Sequence, residues 1–395
     1  MTEPSLSSRL ARVKPSSTLA MTSKVLELQQ KGVEVIGFAA GEPDFPTWDY
    51  VCEAAHQAIR DGEFRYTAVG GTPRLKAAIR TKLKRDNGLE YSDAEVVASC
   101  GGKHSLYNVM QAVLDEGDEV VVPGPFWVSY PDMAALSGGV AKIAMASEKN
   151  GFLLMPEELE AAITPRTKLV VLNSPSNPTG ATYSEAQVAA LGKVLAKHSC
   201  WVLVDDVYEF IRYDGARPRH LVALEPGLRD RVIISNSVSK TYAMTGWRIG
   251  YTAAPVRVIK AITTLQSQST SNPTAVAQAA AAAALSGPQD QLAPMVEQFR
   301  RRRDYICERV NAIPGLSVGV PGGAFYVFVN GTGVFGKAGV RDGDGLAMKL
   351  LEGARVGVVG GNDFGSSDHF RISYATSMEN IEKGMDSIER YLGSL

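Results

Sequence analysis

The chain has 395 residues, 45% hydrophobic and 21% charged, with 41 Lys and Arg against 42 Asp and Glu for a formal net charge of −1. That length exceeds the ~250–300 residues at which a single core stops growing, so two domains are expected in an ordinary globular protein. The balanced charge gives no electrostatic basis for a nucleic-acid or anionic-membrane partner, and no apolar run approaches the ~18 residues of a membrane span.

Residues 1–45 read as an N-terminal arm with a helix over Lys24–Lys31, amphipathic about Val25, Leu26 and Leu28. Glu3 and Pro4 stand where a basic-then-apolar export signal would lie, so a cytoplasmic protein is expected. The scattered cysteines (Cys52, Cys100, Cys200, Cys307) form no Cys-x-x-Cys pair and suit a reducing compartment; neither they nor the five histidines have metal-site spacing.

From residue 46 to 287 strand and helix patterns alternate. Glu95-Val96-Val97-Ala98 is a predicted strand. Gly101 and Gly102 follow it, and Leu106, Val109, Met110, Val113 and Leu114 then mark a helix. Glycines between a strand and a helix let backbone N–H groups approach an anion at the helix N-terminus. Leu169–Leu172 and Trp201–Val204 are short apolar strands; between them Ser184 and Gln187 make a capping box before Val188, Leu191, Val194 and Leu195. That strand–helix–strand unit predicts a parallel sheet, whose ligands sit beyond the carboxyl ends of the strands. Asn177, Asp205 and Tyr208 lie just past such ends. Val232-Ile233-Ile234 is a further strand, after which Lys240 stands among small hydroxylated residues, with Arg248 eight positions on.

A lysine desolvated at a strand end is nucleophilic towards an aldehyde, and pyridoxal 5'-phosphate (PLP) is the aldehyde proteins hold in this way, as a Schiff base. Asp205 is placed to keep a pyridine nitrogen protonated, Asn177 and Tyr208 to bond a ring hydroxyl, and Gly101, Gly102, Ser237 and Arg248 to hold a phosphate. Taken alone, Lys240 reads equally as a surface lysine capping a loop, and Gly101-Gly102 as a turn.

Ala279–Ala284 is a predicted helix, broken at Gly287-Pro288. A long helix over Gln291–Val310 follows. It contains Arg300–Arg303, read as a solvated face because Glu297, Asp304 and Glu308 lie nearby. Leu316–Val318, Ala324–Val329 and Phe370–Tyr374 read as strands of a second, α+β domain.

With these motifs in view, the chain resembles the fold-type I PLP-dependent aminotransferases of class I and II, and is most similar to the prokaryotic-type aspartate aminotransferases, some of which also accept prephenate. The resemblance runs from about Leu10 to near the C-terminus. It is carried by Gly41-Glu42-Pro43-Asp44-Phe45, Asn173-Ser174-Pro175-Ser176-Asn177-Pro178-Thr179-Gly180, Asp205-Asp206-Val207-Tyr208, Ser237-Val238-Ser239-Lys240, Thr245-Gly246-Trp247-Arg248-Ile249-Gly250 and Phe370-Arg371-Ile372-Ser373. It implies an α/β fold with a mostly parallel seven-stranded sheet in a large domain (46–287) and a smaller α+β domain (288–395) that the arm (1–45) joins.

The resemblance further implies that Lys240 anchors the cofactor and then serves as general base and acid. Trp127 would stack on the pyridine ring, and Tyr66 would reach the phosphate of a neighbouring subunit in a homodimer with shared sites. Arg371 and the backbone of Gly41 would hold the substrate α-carboxylate, Trp127 and Asn177 would also border the substrate, and Lys14, Thr18 and Lys103 would stand at its side chain, Lys103 facing a distal carboxylate. The expected substrates are an amino acid and a 2-oxo acid: aspartate with 2-oxoglutarate, and prephenate as a second acceptor. An aromatic or alanine aminotransferase and a PLP-dependent C–S lyase share the same anchor and stay open at this point. A PLP-sensing transcription regulator would need a DNA-binding domain ahead of the cofactor domain, where only about 40 residues stand.

Overall fold

The computed structural model describes residues 4–216 and 218–395. A two-residue strand, β1 (Ile36–Gly37), precedes a seven-stranded sheet built from β2 (Val96–Ser99), β3 (Glu119–Gly124), β4 (Val140–Met145), β5 (Thr167–Asn173), β6 (Trp201–Asp205), β7 (Val232–Ser237) and β8 (Gly250–Ala253), in the order β2-β8-β7-β6-β5-β3-β4. Only the pairings of β8, with β2 and with β7, are antiparallel. Val170, Val202, Leu203, Ile233 and Ile234 are almost wholly buried, as strands covered by helices on both faces must be. The helix Glu185–Ala196 crosses from β5 to β6, and the predicted Ser184–Gln187 capping box is formed.

This topology positions the candidate site. Parallel pairing brings the carboxyl ends of β5, β6 and β7 level, with Asn173 opposite Asp205 and Asp205 opposite Ser235. All three apolar runs continue as strand into these polar residues, further than periodicity alone indicates. The ladder hydrogen bonds, not the hydrophobic pattern, decide where each strand stops.

A second sheet of three antiparallel strands, in the order β11-β12-β9, comprises β9 (Tyr326–Asn330), β11 (Val359–Gly360) and β12 (His369–Ser373), while β10 (Val356–Gly357) pairs with β1. The long predicted helix spans Leu292–Ala312, and the N-terminal helix begins earlier than its apolar pattern indicates, at Ser17, with Ser16 as N-cap.

Two expectations are corrected. Leu316–Val318 forms no strand; it contributes a single bridge, Ser317 to Asn330. Arg300–Arg303 is not one solvated face. At 100° per residue, four consecutive side chains encircle a helix. Arg300 and Arg301 accordingly face outward onto Glu297, whereas Arg302 is buried and makes a two-pronged pair with Asp44 at 2.6 and 2.9 Å. Arg303 lies over the Tyr213 ring. No helix among the described residues is long and apolar enough to cross a membrane.

Candidate active site

A cavity of about 360 Å³ opens at the carboxyl ends of the parallel strands. Its lining brings together Thr18, Gly41, Gly102, Lys103, Trp127, Asn177, Asp205, Tyr208, Ser237, Lys240, Arg248 and Arg371, each singled out from sequence.

The buried end of the cavity belongs to Asp205, the last residue of β6. Burial pushes its carboxyl up to about 6; the Tyr130 hydroxyl, donating to Oδ2 at 2.6 Å, and the Val207 N–H, donating to Oδ1, work the other way. Asn173 donates to the Asp205 carbonyl oxygen at 2.9 Å, and its own Oδ1 accepts the Asn177 N–H. This side chain thereby ties the β5–β6 ends to the turn that carries Asn177.

Lys240 sits across the cavity. Burial depresses its ammonium to about 8, with the cations of Arg371, Arg248 and Lys103 acting the same way and Glu42 opposing them. Its Nζ donates to the Gly41 carbonyl oxygen. A buried amine facing three other cations is close to losing its proton at neutral pH, which is the state a nucleophile or general base needs.

The third group of residues is a cradle for an anion. Gly101 (φ +96°) precedes the helix Gly102–Val113, and a Cβ on Gly101 would lie within 2.3 Å of Arg248 Nη2. Gly250 is required by the same contact: its Cβ would strike the Gly101 backbone at 2.4 Å. Arg248 is anchored by donating from Nη1 to the Thr245 carbonyl at 2.8 Å. Ser237, buried on β7, abuts Gly102, and a helix N-terminus beside a guanidinium and a hydroxyl favours a phosphate. His104 belongs to the framework: its Nδ1 accepts the Cys100 N–H.

The open end carries a second set of cations. Arg371, central in the three-stranded sheet and 1% exposed, donates to Asn177 Oδ1 at 2.8 Å and to the Ala39 carbonyl at 2.7 Å, yet its buried Nε has no partner among the described residues. Lys103 Nζ lies 4.9 Å from the Trp127 ring centroid. Lys14 is exposed and off the lining, while Thr18, in the first turn of its helix, is on it. Tyr66 is 92% exposed and does not line the cavity of its own chain.

Sequence reading missed Tyr130, Asn173 and Tyr326. Tyr326 closes the wall: its hydroxyl is 2.7 Å from that of Tyr208, and the Arg371 guanidinium lies 4.5 Å from its ring centroid. Tyr130 stands three residues after Trp127, its N–H donating to the Trp127 carbonyl at 3.0 Å as the chain turns into the helix Ser129–Leu136; its place in the same segment as Trp127 is the only local signal.

A family model described as aminotransferase class I and II matches residues 33–388. The chain is 50% identical to the aspartate/prephenate aminotransferase of Cereibacter sphaeroides, covering 99% of each, and 46% identical to the aspartate aminotransferase of Geobacillus stearothermophilus, covering 98% of each. Among solved structures it matches the aspartate aminotransferase of Rhizobium meliloti at 46% identity with a TM-score of 0.95, over 98% of this chain and 99% of that one. It matches the Thermus thermophilus aspartate aminotransferase with maleate at 40% identity with a TM-score of 0.92, over 98% of this chain and 100% of that one. With a family match over nearly the whole chain and an α/β fold shared at this level, the chain belongs to the class I and II aminotransferases and is an aminotransferase.

Proposed function

We propose that this aminotransferase uses PLP to move the amino group of L-aspartate to 2-oxoglutarate, with prephenate as a second acceptor, and that it works as a homodimer. The observation that carries the reading is the convergence of the Lys240 amine, the Asp205 carboxylate and the Arg371 guanidinium on one cavity.

The residues present fit PLP. The Gly101–Gly102 cradle with Ser237 and Arg248 suits its phosphate, Asp205 suits a protonated ring nitrogen, and Asn177 and Tyr208 suit the ring hydroxyl. Trp127 offers a flat face to the ring. Bound PLP supplies the electron sink that lets a proton leave the substrate Cα. Lys240 holds and moves that proton. Arg371, with an unspent Nε–H, grips the α-carboxylate and sets the angle of the Cα–H bond, while Gly41 and Asn177 complete that end. Asp205 must stay ionised, and the Tyr130 hydrogen bond supports this against the effect of burial.

The substrate side chain is read from Lys103 and Thr18. Both line the open end, where a second carboxylate finds an ammonium held below its usual range by burial and by Arg248. The relatives named for aspartate and prephenate support the same choice. Lys14, exposed on the arm, is proposed to join them only when the arm closes. Lys103→Ala is expected to lower kcat/KM for aspartate by about ten- to a hundredfold while sparing alanine and phenylalanine. Glutamate formed from aspartate and 2-oxoglutarate is the measurement. Ammonia release without 2-oxoglutarate would instead make the enzyme a lyase, and equal losses for all amino acids would move Lys103 to the cofactor.

The dimer reading rests on Tyr66. Tyr66, Phe64 and Ile59 are exposed apolar groups on one stretch of chain, 92%, 69% and 53% accessible, and a second copy would cover them. Tyr66 is proposed to reach the phosphate of that copy. Mixing Lys240→Ala chains with Tyr66→Phe chains should yield heterodimers containing one wild-type-like site. Activity above that of either variant alone is expected, and an active monomer in sedimentation refutes the arrangement.

A further inference from the structure

Behind the cavity wall lies a mostly buried polar cluster, of which Asn87 and Glu209 border a second cavity. Lys82, on the helix Pro73–Asn87, is 1% exposed, an unusual place for a lysine. Its Nζ donates to Glu209 Oε1 and to Asn87 Oδ1, the latter at 2.7 Å, and lies 5.3 Å from the Phe210 ring centroid. Glu209 Oε2 accepts from Asn87 Nδ2 at 2.9 Å, and Oε1 also accepts from Asn236 Nδ2 at 2.6 Å. Asn236, 3% exposed on β7, turns its remaining Oδ1 to the Ser237 N–H at 2.7 Å. Every side-chain amide group in the cluster has a partner.

Burying an ion pair of this kind seldom adds net stability over an apolar packing of the same volume, because desolvation offsets the attraction. What such a network provides is a fixed geometry, since any displacement leaves a buried charge unpaired. Its two outputs point at the site. Glu209 follows Tyr208, whose hydroxyl forms the cavity wall with Tyr326. Asn236 precedes Ser237, whose Oγ accepts the Ser239 N–H, the amide just before Lys240. One carboxylate therefore ties the loop after β6 to the end of β7, two segments with no covalent reason to hold a common register beyond the ladder.

We infer that Glu209 is a positioning residue which, acting through Asn236 and anchored by Lys82, holds Tyr208 and Ser237 at the spacing the cofactor's hydroxyl and phosphate require. The inference rests on the PLP reading of the cavity. It concerns no substrate group: among the described residues, no hydrogen bond or ion pair joins Arg371, Lys103 or Thr18 to the cluster.

Two variants of the full-length protein test it. Asn236→Ala cuts the link to β7 and leaves the Lys82–Glu209 pair intact. Lys82→Met combined with Glu209→Leu removes both charges together, so that neither is stranded. Both should keep a cooperative thermal transition. The PLP dissociation constant, measured by quenching of tryptophan emission, should rise about ten- to a hundredfold, and kcat should fall by a similar factor, the scale of a misplacement near 1 Å. KM for aspartate should stay within about twofold, because binding at Arg371 is untouched. If either folded variant binds PLP and turns over like the wild type, the inference is overturned. It is overturned equally if KM rises while kcat and Tm fall, which marks general loosening. Wild-type protein that binds no PLP would overturn the reading of the cavity itself, and is told apart because the wild type is titrated alongside.

Discussion

Lys240→Ala is expected to lose about 10⁴-fold in turnover, the upper range for removing a general acid–base group, while still binding PLP. Borohydride treatment of the wild type should leave PLP on the peptide that contains Lys240, and on no peptide of the variant. Attachment elsewhere would sink the assignment. The ionisation of Lys240 adds a second, independent check. An amine held near 8 is about one-tenth neutral at pH 7 and about nine-tenths neutral at pH 9, and only the neutral form attacks an aldehyde. Capture of PLP by the cofactor-free protein should therefore speed up about tenfold between those pH values and then level off. A lysine at the usual value near 10.4 would give a rise of about a hundredfold, still climbing at pH 9. Stopped-flow absorbance across this range separates the two.

The parts of this site that local pattern alone makes legible, without the family resemblance that points to Arg371, Trp127 and Thr18, share one property: each stands at the end of a short apolar run. Asp205, Asn177, Lys240 and the Gly101-Gly102 pair follow buried strands, and in a parallel sheet strand ends converge by construction. Residues that reach the site sideways give no such signal. Tyr326 is one alternating residue in a strand of the other sheet, and only packing of that sheet against Tyr208 brings it in. Tyr130 lies on the helix Ser129–Leu136, where it looks like a core aromatic until its hydroxyl is found 2.6 Å from Asp205. Lys82 and Glu209 meet in space but lie 127 residues apart in the chain, and no local pattern links them. The same limit explains Arg302. Charge patterning along a helix gives composition, not azimuth, and the partner that draws Arg302 inward is Asp44, in a distant loop. Fold class was legible because alternation of strands and helices is a local property repeated many times; the second layer of the site was not, because each of its contacts occurs once.

Arg371 offers the sharpest separation between binding the α-amino acid and choosing its side chain. Its guanidinium is fully buried, braced by Asn177 and the Ala39 carbonyl, and flanked by the rings of Tyr326 and Phe364 at 4.5 and 5.0 Å. So fixed a fork loses little freedom on meeting a carboxylate and dictates the angle of approach. Arg371→Leu should cost about 10²–10⁴ in kcat/KM for every amino acid tried, consistent with losing two charged hydrogen bonds of ~1.5–3 kcal/mol each. Arg371→Lys should fall between, because a point-like ammonium cannot reproduce the planar fork. Arg371→Leu also strands the Ala39 carbonyl and Asn177 Oδ1, so a lower Tm is expected and the variant must be shown to be folded at the assay temperature. The decisive comparison is with Lys103→Ala. Loss for aspartate and alanine alike on changing Arg371, set against loss for aspartate alone on changing Lys103, assigns the two carboxylates to two cations. If alanine escapes the Arg371 change, the α-carboxylate is held elsewhere and the orientation of the Cα–H bond must come from Lys240 and the cavity walls instead.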